Sequence, residues 1–180
     1  MTCIIAIANQ KGGVAKTTTA INLGTGVAAE GKRVLLIDLD PQGNATTGSG
    51  IDKSEADAGV YDVLTESAII RAVRVISPTS GYDVLTANQH LAGAEVELVG
   101  VNGRETILKR ALESVTDDYD FVFIDCPPAL SLLTINGLTA ANYVIIPMQC
   151  EYYALEGLTD LVDTIKRIKS YLNPDLAIGG

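Results

Sequence analysis

Tryptophan is absent from this 180-residue chain, histidine occurs once and cysteine three times. His90 has no second imidazole with which to share a metal or complete a histidine-based relay, so those chemistries are not expected. Cys3, Cys126 and Cys150 are odd in number, lie in or beside apolar runs and show no C-x-x-C spacing. They read as buried reduced thiols rather than disulfide partners or metal ligands. No apolar run reaches the roughly 18 residues of a membrane span, and no basic segment with a cleavage site opens the chain, so a cytoplasmic protein is expected. Positive charge is scarce: 13 Lys and Arg against 22 Asp and Glu leave a net charge of −9. That argues against a broadly cationic nucleic-acid surface, because nonspecific DNA affinity comes mainly from cations neutralising phosphates. Lys166, Arg167 and Lys169 form the one basic cluster of the second half. They read as cations on the last turns of a helix, where they offset the carbonyl dipole.

What the chain does have is apolar residues, 47% of the total, ample for a single core. One domain over residues 1–180 is expected. Residues 3–8 are an apolar run, and Asn-Gln-Lys-Gly-Gly-Val-Ala-Lys-Thr-Thr follows at 9–18. A short β-branched run, a glycine-rich turn and a Lys-Thr pair opening a helix are the parts of a phosphate-binding loop. Backbone N–H groups and the positive helix end converge there on phosphate, Lys16 reaches the β/γ oxygens and the Thr17 hydroxyl holds Mg²⁺. Against the ordinary G-x-x-x-x-G-K-[ST] pattern, Gln10 and Ala15 replace the two glycines. A second lysine, Lys11, stands ahead of Gly12-Gly13.

Two further apolar runs end in carboxylates: residues 33–38, followed by Leu39-Asp40-Pro41-Gln42-Gly43-Asn44, and Phe121–Asp125, followed by Cys126-Pro127-Pro128. Uniformly apolar strands are those of a parallel sheet covered on both faces, and ligands bind beyond their carboxyl ends. Asp38, Asp40 and Asp125 should therefore share one edge with the phosphate loop.

Helices are expected at residues 17–30 (Ala20, Leu23 and Val27 on one face, Gly31 as stop), 104–115, and 155–172 with Leu158, Leu161, Val162, Ile165 and Ile168 inward. Strands are expected at 82–87, at 143–147 and from 176. Residues 44–59, polar and rich in glycine, read as a mobile loop. Alternating strands and helices give an α/β sandwich with right-handed crossovers.

Lys-Gly-Gly-Val-Ala-Lys-Thr-Thr, Asp-Leu-Asp-Pro-Gln-Gly-Asn, Ile-Asp-Cys-Pro-Pro and Gln-Cys-Glu-Tyr-Tyr-Ala-Leu-Glu-Gly (149–157) together make the chain resemble the ParA/Soj chromosome- and plasmid-partitioning ATPases. These belong to the deviant Walker A group of P-loop NTPases, with MinD and the nitrogenase iron protein. The resemblance implies a three-layer α/β sandwich with a mostly parallel central sheet. It also implies that the chain lacks a C-terminal part that carries more sheet, part of the adenine pocket and DNA-binding arginines in the family.

For the site, the resemblance implies ATP and ADP as ligands, with Lys11, Gly12, Gly13, Val14, Ala15, Lys16, Thr17, Thr18, Asn44 and Glu151 around them. Thr17, Asp38 and Asp125 serve Mg²⁺, and Asp40 orients the attacking water. Lys11 reaches the partner's phosphates across a nucleotide-sandwich homodimer. The partners implied are a ParB-like protein and, for the full-length family, nonspecific DNA. For this acidic chain DNA binding is doubtful, and a membrane-switch role lacks the terminal amphipathic helix it would need. Ala15 stands where the family has glycine. A left-handed backbone there would cost about 1–2 kcal/mol, about ten- to thirtyfold in affinity if it fell on binding. The alternative is thus a non-hydrolysing nucleotide-binding regulatory module.

Overall fold

The computed structural model describes residues 2–54, 56–149 and 154–180. Its frame is a seven-stranded sheet made of β1 (Cys3–Ile7), β2 (Val34–Asp38), β3 (Val75–Ile76), β4 (Asp83–Leu85), β5 (Phe121–Asp125), β6 (Tyr143–Ile145) and β7 (Ala177–Ile178). The spatial order is β3-β4-β2-β5-β1-β6-β7. Every pairing is parallel except β3 with β4. The central strands are Val, Ile, Leu and Phe because both faces are covered, and successive side chains alternate between the two faces.

Along β2 the alternation separates two cores. Val34 and Leu36 join Ile7, Ala20, Val84 and Phe123 under α1 (Lys16–Ala29) and α2 (Asn44–Gly48). Leu35 and Ile37 face the larger core with Val122 and Ile124. That core is closed by α3 (Val60–Leu64), α4 (Ile70–Val73), α5 (Leu91–Glu97), α6 (Ile107–Glu113), α7 (Leu132–Ala140) and α8 (Ala154–Tyr171). The result is the three-layer sandwich with a mostly parallel sheet. None of the described helices is long and apolar enough to cross a membrane.

Helix α1 begins one residue earlier than its pattern suggests and stops before Gly31, which takes φ 78° as its N–H reaches the Ala28 carbonyl at 2.9 Å. Gly24 lets the helix approach the sheet: a Cβ there would lie 3.6 Å from the Tyr82 ring. The expected 104–115 helix is a 3₁₀ turn over Arg104–Thr106 followed by α6. Strand β7 starts at Ala177 and pairs with β6. Lys169 donates to the Leu176 carbonyl at 3.0 Å and Lys166 pairs with Asp163 at 2.9 Å, as helix-end cations rather than a phosphate-facing patch.

The expected mobile loop at 44–59 is instead structured at its start. Helix α2 opens it, with Ala45, Thr46 and Ser49 fully buried. The physical reason is that its polar side chains satisfy one another and the backbone: Ser49 Oγ donates to the Ala45 carbonyl at 2.8 Å, and Thr46 bonds Asp38.

Helix α7 packs closely on the sheet. A methyl group on Gly137 would meet Cys126 Sγ at 3.0 Å, Leu39 at 3.1 Å and Ile124 at 3.3 Å. Gly137→Ala is therefore expected to destabilise the fold by about 1–3 kcal/mol despite its better helix propensity. Urea unfolding measures this, and a stabilised variant would show that the α7–sheet contact is looser than described.

Candidate phosphate-binding site

The carboxyl ends of β1, β2 and β5 lie side by side because their registers match: Ile7 pairs with Asp125, and Asp125 with Asp38. The loop leaving β1 therefore runs above two aspartates. It is shaped by Asn9, whose side-chain carbonyl accepts the Lys11 N–H at 3.0 Å while its amide donates to the Pro147 carbonyl at 2.7 Å. Gly12 and Gly13 are exposed, Gly13 at φ 73°, and Gln149 donates to the Gly13 carbonyl at 3.3 Å. Val14 is buried as the loop's anchor, and Ala15 takes the left-handed conformation, φ 66° and ψ 29°, immediately before α1.

Lys16 is 8% exposed and its ammonium donates to the Lys11 carbonyl at 3.0 Å. Burial lowers its pKa, while Asp125 and Asp40 pull it back up. Thr17 donates to Asp125 Oδ2 at 2.7 Å, and Thr18 is exposed on the next position of the helix. Asp125 Oδ1 is buried with no hydrogen-bond partner among the described residues. Burial pushes the Asp125 carboxyl up to about 7; the Thr17 bond opposes this, Asp38 and Asp40 add to it, and Lys16 opposes it.

Asp38 is fully buried and its oxygens are taken by protein donors. Oδ1 accepts the Asp40 N–H at 3.1 Å, and Oδ2 accepts both the N–H and the hydroxyl of Thr46 at 2.8 Å each. It caps the turn that follows β2. Burial raises it to about 6 against the pull of those Thr46 bonds. Asp40 is half-buried and accepts the Gln42 N–H at 2.9 Å, closing a turn that continues through Gly43 at φ 64° to exposed Asn44 at the start of α2. Glu151 and Cys150 lie outside the described residues. Cys3 and Cys126 are free thiols, and burial drives the Cys126 pKa well up.

The structure therefore brings Lys11, Lys16, Thr17, Asp38, Asp40 and Asp125 to one edge. Two residues had no assigned part in the sequence reading: Asn9, signalled by an Asx turn two residues before Lys11, and Thr46, whose partner Ala87 lies 41 residues away. Among the described residues no group of three or more His, Cys, Asp or Glu converges on a point. A divalent ion at Thr17 and Asp125 would thus keep water and phosphate oxygens as further ligands, which is the coordination Mg²⁺ favours. The partnerless Asp125 oxygen beside the Thr17 hydroxyl suits it.

The family model described as AAA domain matches residues 2–178. The sporulation initiation inhibitor protein Soj of Bacillus subtilis is 55% identical over 98% of this chain and 70% of its own length. The chain belongs to the ParA/Soj family. The chromosome partitioning protein ParA of Caulobacter vibrioides is 51% identical over 98% of this chain and 67% of its own. A Mycobacterium smegmatis structure named cobyrinic acid a,c-diamide synthase, holding an ATP analogue and magnesium, superposes with a TM-score of 0.96. It is 47% identical over 99% of this chain and 72% of its own. The fold is that of this family of P-loop proteins.

Two outcomes follow from this geometry. Ala15 is already left-handed without ligand, so its strain falls on folding rather than binding. Ala15→Gly should stabilise the chain by about 0.5–1 kcal/mol, the relief of strain less the extra freedom of glycine when unfolded. Equal unfolding midpoints would place Ala15 outside the left-handed region.

Burial raises the Asp125 carboxyl to about 7. A pKa raised above its unfolded value makes stability full below about 4 and lost as pH rises through about 7, a change on the order of 4 kcal/mol. Asp125→Asn removes that titration. Its stability between pH 5 and 8 should fall less steeply than the parent's, the residual slope coming from Asp38. Parallel pH profiles of urea unfolding would show that Asp125 does not titrate there.

Proposed function

We propose that the chain is a cytoplasmic Mg-ATP-dependent dimerising switch ATPase that serves chromosome or plasmid partitioning with a ParB-like partner. The observation that carries this reading is the Thr17–Asp125 hydrogen bond of 2.7 Å beside the unpartnered Asp125 Oδ1, directly under the Lys16 ammonium. The partition names of relatives at 55% and 51% identity support the biological role. Fold alone would not, since one neighbour bears the name of an amide synthase.

In this mechanism the chemistry is hydrolysis of the β–γ phosphoanhydride, where catalysis is mainly positioning and charge stabilisation. The exposed Gly12–Gly13 turn and the start of α1 present backbone N–H groups to the phosphates. Lys16 exchanges the Lys11 carbonyl for β/γ oxygens and neutralises charge there. Thr17 and Asp125 would hold Mg²⁺, which when bound would offset negative charge on the phosphates. Asp38 supports the loop from below, and Asp40, on the turn it caps, orients the attacking water. Lys11 serves the partner's phosphates across a twofold seam, with Asn44 and Glu151 near it, since each protomer offers the same patch. Nonspecific DNA belongs to the full-length family, and this chain by itself is poorly suited to it: its net charge is −9, and Lys166 and Lys169 are engaged within the helix and its exit.

A second reading, a non-hydrolysing nucleotide-binding module, is favoured by the left-handed Ala15, whose methyl group lies where backbone passes near phosphate. A paired experiment separates them. Asp40→Ala should bind ATP as the parent does and lose at least about tenfold in turnover. Lys11→Ala should bind nucleotide with little loss yet stay monomeric by light scattering with a slowly hydrolysed analogue. A parent that binds ATP through Lys16 without turning it over establishes the second reading. Normal dimers from Lys11→Ala would remove the trans role.

A further inference from the structure

We propose that Thr46 is a positioning residue for hydrolysis, the clip that fixes Asp38 and through it the backbone of Asp40; this rests on the ATPase reading above. Thr46 is fully buried and uses every polar group it has. Its hydroxyl proton goes to Asp38 Oδ2 at 2.8 Å, its oxygen accepts the Ala87 N–H at 2.9 Å, and its own N–H also bonds Asp38 Oδ2 at 2.8 Å. A hydroxyl with one proton and one accepted donor has its rotor determined. The carboxylate it holds is left with Oδ1 for the Asp40 N–H at 3.1 Å.

The clip joins two strand ends. Asp38 closes β2, Ala87 follows β4, and the strands are parallel neighbours with Ile37 paired to Leu85. The Asp40 turn is thus suspended between them rather than free in solvent. Its far end is held against the same loop: Gly43 is so close to Ala87 that an added Cβ would lie 2.7 Å from the Ala87 carbonyl oxygen. A residue that must meet a water within hydrogen-bond reach loses rate steeply when displaced by about 1 Å. Thr46 touches neither nucleotide nor water; it acts through Asp38.

The substitution that separates the roles is Thr46→Val, which keeps the shape and drops the hydroxyl, with Thr46→Ser restoring it. Expected for Thr46→Val are ATP affinity within about twofold of the parent, kcat lowered by about ten- to hundredfold, and faster amide exchange at Asp40 and Ala87. Thr46→Ser should return both turnover and protection. Unchanged kcat, or unchanged exchange at Asp40, overturns the proposal, as does a loss confined to KM. If Thr46→Val does not fold, Thr46→Ala, which also lacks the hydroxyl, takes the same readouts. Unfolding of both, with Thr46→Ser normal, makes Thr46 a folding residue and overturns it. A parent chain that binds ATP but never hydrolyses it defeats the ATPase reading instead. The exchange at Asp40 then decides the clip alone, protected in Thr46→Ser and lost in Thr46→Val if the proposal holds.

Discussion

Two buried carboxylates in register, Asp38 and Asp125, are the constraint around which the rest of the site is arranged. Taking even one carboxylate out of water is costly, and the charge of Asp38 adds to the proton affinity that burial gives Asp125. The fold answers in two different ways. Asp38 receives three protein donors and becomes structural glue for the turn beyond β2. Asp125 receives only Thr17 and keeps one oxygen without a partner. The asymmetry divides a matched pair of strand ends into a support and a receptor for positive charge. Neither role needs a change in the strand, because parallel register alone brings both ends to the same level.

The sheet makes that possible by being insulated. With α1 and α2 on one face and α3 to α8 on the other, β2 is buried along its whole length and β5 along all but its first residue, while Ile5 in the middle of β1 is only partly covered. Polar chemistry is therefore confined to the edges, and the edge nearest β1 is the one where a helix N-terminus also points. A field from aligned N–H groups and a cluster of acids occupy the same small region, with Lys16 between them. The lysine is shared by opposing demands: burial weakens its charge and the carboxylates restore it.

Every strand but the two-residue β3, the phosphate loop and the three aspartates were legible in the sequence because each is a local pattern: an apolar run, in two cases with a carboxylate at its end, or a glycine turn before a Lys-Thr pair. Ala15 was legible as a departure; its backbone is left-handed without ligand, so the strain expected to cost affinity falls on folding instead. Helix α7 was not legible. From Leu133 onward almost all of it is buried, so it has no polar face and no 3.6-residue alternation to read. The 44–59 stretch misled for the opposite reason. Thr46 and Ser49 look like solvated loop residues, and only the distant Ala87 and the buried Asp38 show that their polarity is spent inside. Composition reports how polar a segment is; it does not report where its partners are.

The Lys16–Lys11 bond has a bearing on how the loop meets a phosphate. Because the ammonium of one lysine rests on the main-chain carbonyl of the other, the loop is tied across its own mouth by a latch made from its principal cation. An incoming anion has to outcompete that oxygen, so what it gains is the difference between two acceptors rather than the whole attraction of an unengaged charge. Once the latch is exchanged, the peptide that carries Lys11 has lost a tether. The two lysines are then not separate contacts in a list: movement of the first loosens the backbone under the second.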